Sequence, residues 1–298
     1  MTLFLGSLQL GLLYGILAIG IYISFRILNV PDLTTEGSFT FGLATSAMCA
    51  IAGHYVLGII LSIFAGALAG IITGFLQTKC RIHPILSGII TMSGLYTVNL
   101  AVMKNAVNVS LIGKDEIFTT FINALEGMSK DSVKCIVSFI FAAVVCVLII
   151  LFFKTHLGLC IRATGDNEAM VSSSSINVDA TKVISLAISN GCVGLSGGLL
   201  AQYQGFADVN MGRGSIVIGL AAVIIGEAIF SRIFRNFALK LLSVVFGSIL
   251  YYLVLQIVIW MGIDTDLLKM LSALIVALFL AFPYWKSKYF TKAKQGGK

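Results

Sequence analysis

Apolar runs of about 20 residues, broken by short polar stretches, recur along nearly the whole chain; about 20 residues is what an α-helix needs to cross the hydrocarbon core of a bilayer. This alternation predicts about nine transmembrane helices, near 3–25, 37–53, 55–77, 84–103, 133–153, 182–204, 214–231, 237–260 and 267–285. Eight or ten follow instead if one segment enters and leaves on the same face. The glycine-bearing stretch 207–231 fits that role best, since a broken helix persists only where protein shields its backbone or it lines a wet cavity. The first run lacks a basic leader and a small-residue cleavage site, so it reads as a retained helix. The predicted fold is all-α: one polytopic membrane domain over residues 1–298, with polar segments at 105–132, 154–182 and 286–298.

Composition agrees. Of 298 residues 58% are hydrophobic and 11% charged, against roughly 25% charged in a soluble domain, which excludes a soluble fold. The net charge of +7 is a matter of orientation rather than nucleic-acid binding. Threading the spans alternately puts Arg26, Lys79, Arg81, Lys154, Arg162, Lys182, Arg232, Arg235, Lys240 and the five tail lysines on one side, 14 of the 20 basic residues. The positive-inside rule then places the N-terminus outside and the C-terminus in the cytoplasm. The six cysteines are scattered without a C-x-x-C pair and read as small hydrophobes.

Within the spans, glycines recur at four-residue spacing (Gly11 and Gly15; Gly66, Gly70 and Gly74; Gly194 and Gly198), which lets helix backbones approach closely in lipid. An internal echo is also present. Gly37 to Ala44 and Gly214 to Ala221 agree at Gly, Ser, Gly, Leu and Ala, and each copy opens a span and follows an acidic residue, Asp32 or Asp208. In the threaded topology the two copies run in opposite senses, the pattern of an inverted repeat around a central pathway.

Candidate chemistry is sparse. No G-x-x-x-x-G-K-[ST] loop is present, so the chain is expected to bind no ATP and no cofactor of its own. His54, His83 and His156 lie at span ends without metal-site spacing. Asp32 and Glu36 at the start of the second span, and Asp208 and Asn210 ahead of the second echo copy, are candidates for either helix-start or pathway roles. Glu227 is placed to pair with Arg232 or Arg235. In the outer segment Ile117, Phe118, Phe121, Ile122 and Leu125 share a helical face, predicting a short amphipathic helix on that surface. In the inner segment Arg162, Thr164, Asp166, Asn167 and Glu168 cluster; Asp166 or Asn167 can cap a short helix running toward Val171, with Glu168 in its first turn. Held between two spans, such a helix could be pushed by another protein and move both as a rigid body.

The runs G-L-C-I-R-A-T-G-D-N-E-A (Gly158 to Ala169), I-N-V-D-A-T-K (Ile176 to Lys182) and G-L-S-G-G-L-L-A (Gly194 to Ala201) resemble the permeases of ABC importers in the branched-chain amino-acid and ribose class. The resemblance continues through Asp208 to Gly214 and Ala221 to Gly226, and more loosely through Asn29 to Gly42 and His83 to Leu86. It implies that Arg162, Ala163, Thr164, Gly165, Asp166 and Asn167 form the contact with the ATP-binding subunit. Two departures are the serine run Ser172 to Ser175 and Glu227, where the class usually has glycine.

The resemblance further implies a substrate-binding lipoprotein outside, ATP on partner subunits, a second permease copy making a homodimer in the bacterial inner membrane, and an amino-acid cargo, aromatic ones among them. The expected function is thus an importer permease working by alternating access without covalent chemistry. The alternative is an ATP-independent secondary transporter or channel, which would carry ionisable groups near the membrane middle.

Overall fold

The computed structural model describes residues 2–124, 129–230 and 236–261, with four single positions beyond. The predicted span at 267–285, the basic tail 286–298, Arg232 and Arg235 lie outside the described residues.

Among the described residues eleven α-helices follow one another: α1 Thr2–Ile21, α2 Thr35–Ile51, α3 Tyr55–Thr78, α4 Pro84–Val102, α5 Ile117–Ala124, α6 Lys130–Phe153, α7 His156–Asp166, α8 Glu168–Ser173, α9 Val178–Gln204, α10 Ser215–Phe230 and α11 Phe237–Trp260. Six segments among the described residues are long and apolar enough to span a bilayer: Phe4–Ile27, Tyr55–Thr78, Pro84–Val102, Lys130–Phe153, Val178–Gln204 and Phe237–Trp260. Predicted spans 37–53 and 214–231 correspond to α2 (17 residues) and α10 (16 residues), both shorter than these six. The fold is all-α as expected, with one short ladder in which Asn108–Ser110 (β1) pairs antiparallel with Phe206–Asp208 (β2). The partner strands are about a hundred residues apart, a pairing that local hydropathy does not signal.

Helix α9 is the axis. It runs antiparallel to α1, as Ser189 donates to the Gly20 carbonyl (2.7 Å), Ser196 to that of Leu13 (2.8 Å), and Tyr203 to Gln9 (2.7 Å). It runs antiparallel to α3 too, where Gly66 faces Asn190, Gly70 faces Leu186, and Gly74 faces Val183 so closely that side chains there would strike backbone. It is parallel to α2, with Asp32 against Asn190 and Ser46 against Gly198 and Gln202. Helix α10 follows α1 in direction: Gly219 lies on Leu17 and Ile21, and Glu227 meets Arg26. Helices α2 and α10, the two echo copies, therefore run in opposite senses.

The ion pairs among the described residues gather at one end. At the α7–α8 end Arg26 bonds Glu227, Lys182 bonds Glu168 and Lys79 approaches Asp179. At the opposite end, marked by the β ladder, Lys134 lies over the Tyr203 ring. There the amphipathic helix exists as α5, but its apolar face divides between protein and surface: Phe121 is exposed, and Leu125 lies outside the described residues. Ile117 and Phe118 are buried, and the Ile117 N–H donates to Gln202 (3.0 Å), whose amide in turn holds Ser46 and the Tyr55 carbonyl.

Candidate functional site: a seated helix pair and a meeting of helix starts

The motif Arg162 to Asn167 forms the last turns of α7 and its junction with α8. Thr155 opens α7 by accepting from the Gly158 N–H. Asn167 breaks the helix with an extended backbone (φ −157°, ψ 100°) and caps α8 by accepting from the Met170 N–H at 3.1 Å, which puts Glu168 in the first turn. Asp166 is exposed and does not cap. The serine run, where the chain departs from its class, closes α8. Ser172 donates to the Ala169 carbonyl, Ser173 and Ser174 both donate to that of Met170, and Ser175 turns into the left-handed region (φ 61°). The hydroxyls satisfy carbonyls that a helix of this length leaves orphaned.

Helix α7 is seated on four long elements. Gly165 lies against the Ile27 carbonyl so tightly that a Cβ would overlap it. That carbonyl ends a π-helical stretch, Tyr22–Ile27, which prolongs α1; such stretches concentrate at functional positions. Buried Thr164 meets Thr181 of α9 at 3.1 Å, Gly158 packs on Phe153 of α6, and the Arg162 guanidinium stacks over Phe237 of α11 at 5.0 Å. Ala163 supports the junction by accepting from the Asn167 N–H at 2.9 Å.

Beside α7 a polar cleft of about 480 Å³ is lined by Arg26, Asn29, Arg162, Asp166, Glu227 and Lys240 among others. Glu227 receives the Arg26 Nε–H at 2.8 Å, a pairing with a residue the sequence reading did not consider. The Glu227 departure and the otherwise unexplained Arg26 thus belong to one contact. Leu157, Leu159 and Met170 expose apolar side chains at the same end, Met170 by 63%.

The four pathway candidates separate. Asp32 is sealed: it accepts from the Thr34 N–H (2.9 Å) and from Asn190 Nδ2 (2.6 Å), fixing the start of α2 to the middle of α9. Asp208 makes a local turn by accepting from the Asn210 N–H (2.7 Å) at the end of the ladder, and Asn210 is exposed. Glu36 instead reaches across to α10, accepting from the Gly214 N–H at 2.8 Å. The starts of α2 and α10, both electropositive by the helix dipole, therefore meet at one carboxylate. A cavity of about 530 Å³ adjoins this point, lined by Glu36, Thr40, Met92, Tyr96, Asn99 and Arg213 among others. Arg213, Asn99 and Tyr96 were not singled out in the sequence. Only Arg213, in a glycine-flanked stretch just before an echo copy, offered a signal.

Comparison with known proteins decides the assignment. Residues 3–282 match the family model described as branched-chain amino acid transport system / permease component. The chain belongs to this family. Along its length it is 34% identical over 271 residues to the "Tyrosine transport system permease protein" of Clostridioides difficile, covering 91% of this chain and 88% of that one. It is 25% identical over 210 residues to the "Probable branched-chain amino acid transport permease protein LivH" of Methanocaldococcus jannaschii, covering 63% and 62%. Among solved structures, "PsaBC from Streptococcus pneumoniae in complex with Fab" shares the fold at a TM-score of 0.53 and 16% identity, over 96% of this chain and 94% of that one. This permease is accordingly the transmembrane component of an ABC import system, and the R-A-T-G-D-N motif that suggested it is a helix junction seated on four long elements.

Proposed function

We propose that this permease imports an amino acid by alternating access in the bacterial inner membrane, driven by separate ATPase subunits that dock on α7 and α8. The observation that carries this reading is the seating of α7 on α1, α6, α9 and α11 at the basic end of the molecule. A partner pushing on this pair would move four long elements together, which is what conversion of ATP-driven closure into a change of access requires. Arg162 and Asp166 face the polar cleft and supply charged contacts, while Leu157, Leu159 and Met170 supply the apolar ones.

The excess of basic residues in the sequence supports placing the α7–α8 end in the cytoplasm and the β-ladder end, with the N-terminus, outside. The ladder and α5 then form the platform for an extracytoplasmic binding lipoprotein. The opposed α2 and α10 are the visible part of an inverted repeat. Two copies of the permease around one pathway complete the importer. An aromatic cargo is supported by the named substrate of the C. difficile relative. Co-expression with a Walker-type ATPase from the same transport system tests the docking. A stable complex is expected, and its loss when Arg162 and Asp166 are both charge-reversed; a permease that never retains the ATPase contradicts the proposal.

A further inference from the structure

The cavity beside Glu36 carries more information than a generic passage. Two formal charges of opposite sign, Glu36 and Arg213, line the same space. Yet among the described residues neither forms an ion pair within 4.0 Å. Leaving opposite charges apart in one cavity forgoes the attraction they would gain by pairing. A solute that carries both signs restores it.

The positions fit that role in detail. Glu36 uses one carboxylate oxygen to accept from the Gly214 N–H, so it is held in place while its other oxygen is left to accept a donor. Arg213 is exposed, its own N–H is used up on the Asn210 carbonyl at 3.1 Å, and its guanidinium fork has no hydrogen bond in the described protein. Asn99 supplies the third observation. Its side chain is 1% exposed; Nδ2 donates to the Gly37 carbonyl at 3.3 Å, which fixes the amide orientation, and Oδ1 has no partner at all. An orphaned acceptor at this burial is destabilising unless something occupies it. Asn99 and Glu36 line one cavity, so an N–H-rich cation held on Glu36 sits beside the buried Asn99 amide, while Arg213 offers a bidentate site for a carboxylate. Met92 and Tyr96 complete the wall with apolar and aromatic surface.

We infer that this cavity is a transit site for a zwitterionic α-amino acid, its ammonium held by Glu36 beside the Asn99 amide and its carboxylate by Arg213, with the side chain against Met92 and Tyr96. The inference rests on the amino-acid reading of the importer and adds the residues that recognise the cargo. A neutral sugar leaves both charges unpaired, and a simple anion leaves Glu36 opposing it. The site lies between the β ladder, next to Val209, and the starts of α2 and α10. A cargo received from outside therefore meets it before the α7–α8 end. Closure driven at α7 reaches it through α1 and α9, which pack on α10 and α2.

The test is uptake of radiolabelled L-tyrosine by proteoliposomes holding the complete importer, with saturating binding protein outside and ATP inside. Glu36→Gln keeps an acceptor for Gly214 but removes the charge; Arg213→Gln removes the fork; Asn99→Leu removes the buried acceptor. Each is expected to assemble with its partners and to lower uptake at least tenfold, Arg213→Lys falling between Arg213→Gln and wild type. The site is overturned if wild type imports L-tyrosine under ATP while Glu36→Gln and Arg213→Gln stay within twofold of it. It is also overturned if the importer is ATP-driven but carries a sugar or inorganic ion and no amino acid, a result that leaves the docking of α7 and α8 intact. Absence of any ATP-dependent uptake by wild type instead overturns the importer reading itself.

Discussion

A single added methyl group at Gly165 probes the transmission element directly. In Gly165→Ala the new Cβ would overlap the Ile27 carbonyl oxygen, and it would stand 2.9 Å from the carbonyl carbon and 3.1 Å from Leu28 Cα. Ordinary carbon contact begins near 3.5 Å, so α7 has to move off α1 by roughly 1 Å. The contacting atoms are backbone at the end of the π-helical stretch, which no rotamer change can relieve. Overpacking of this kind costs about 1–3 kcal/mol. If the seated position of α7 is the one the ATPase binds, that cost weakens docking about 5- to 150-fold. The assay is titration of purified ATPase onto the permease in nanodiscs, together with ATP-driven uptake, with the melting temperature of the permease alone as control. Wild-type docking affinity and wild-type uptake in Gly165→Ala would refute the claim that α7 works by sitting on α1.

Other perturbations read other parts of the account. Charge reversal at Arg162 or Asp166 should uncouple ATP hydrolysis from uptake, because both side chains face the exposed cleft rather than the packed interior; hydrolysis and uptake measured on one preparation will show whether the two separate. Asn167→Ala removes the α8 cap at an expected cost of about 1 kcal/mol, read as faster hydrogen exchange over 168–173 with the long helices unchanged. Asp32→Ala removes two hydrogen bonds at the α2–α9 junction and should lower stability by about 1–2 kcal/mol, read as a drop in melting temperature. Glu116, beside α5 in the outer segment, has its carboxyl pushed up to about 7 by burial, against the opposing pull of Lys134. Its folded form thus holds its proton more tightly than the unfolded chain does, so the local stability of the α5 region should fall as pH rises from about 4.5 to about 7. Hydrogen exchange over 117–124 at pH 5 and pH 8 checks the sign, and Glu116→Gln should flatten the difference.

Hydropathy alone located the long helices, because a span of about 20 apolar residues is a local property of the sequence. The expected spans 37–53 and 214–231 correspond to the shorter apolar helices α2 and α10, whose starts meet in a way local hydropathy does not signal. The cap at Asn167 was legible for the same reason as the spans: an N-cap acts within three residues. Long-range partners were not. The neighbours expected for Glu227, Arg232 and Arg235, lie outside the described residues, and the partner seen is Arg26, 201 residues away. Asp32 resembled a simple helix cap, and its partner Asn190 is an unremarkable polar residue in a glycine-rich run 158 residues away. Asn99 gave no signal at all, because an asparagine inside an apolar run becomes informative only when one amide atom is seen to be satisfied and the other is not. The serine run shows the converse case. As a departure from its class it looked like a weak point, whereas its hydroxyls close the short helix they end.

The most direct test of the central claim is reconstitution of the permease with its ATPase and binding protein in sealed vesicles, with amino-acid uptake followed as lumenal ATP is varied. Uptake that rises with ATP, and that disappears when the ATPase is omitted or its phosphate-binding lysine is replaced, is the predicted result. Uptake of equal rate by the permease alone, indifferent to ATP, would contradict the account and return the chain to the class of ATP-independent carriers.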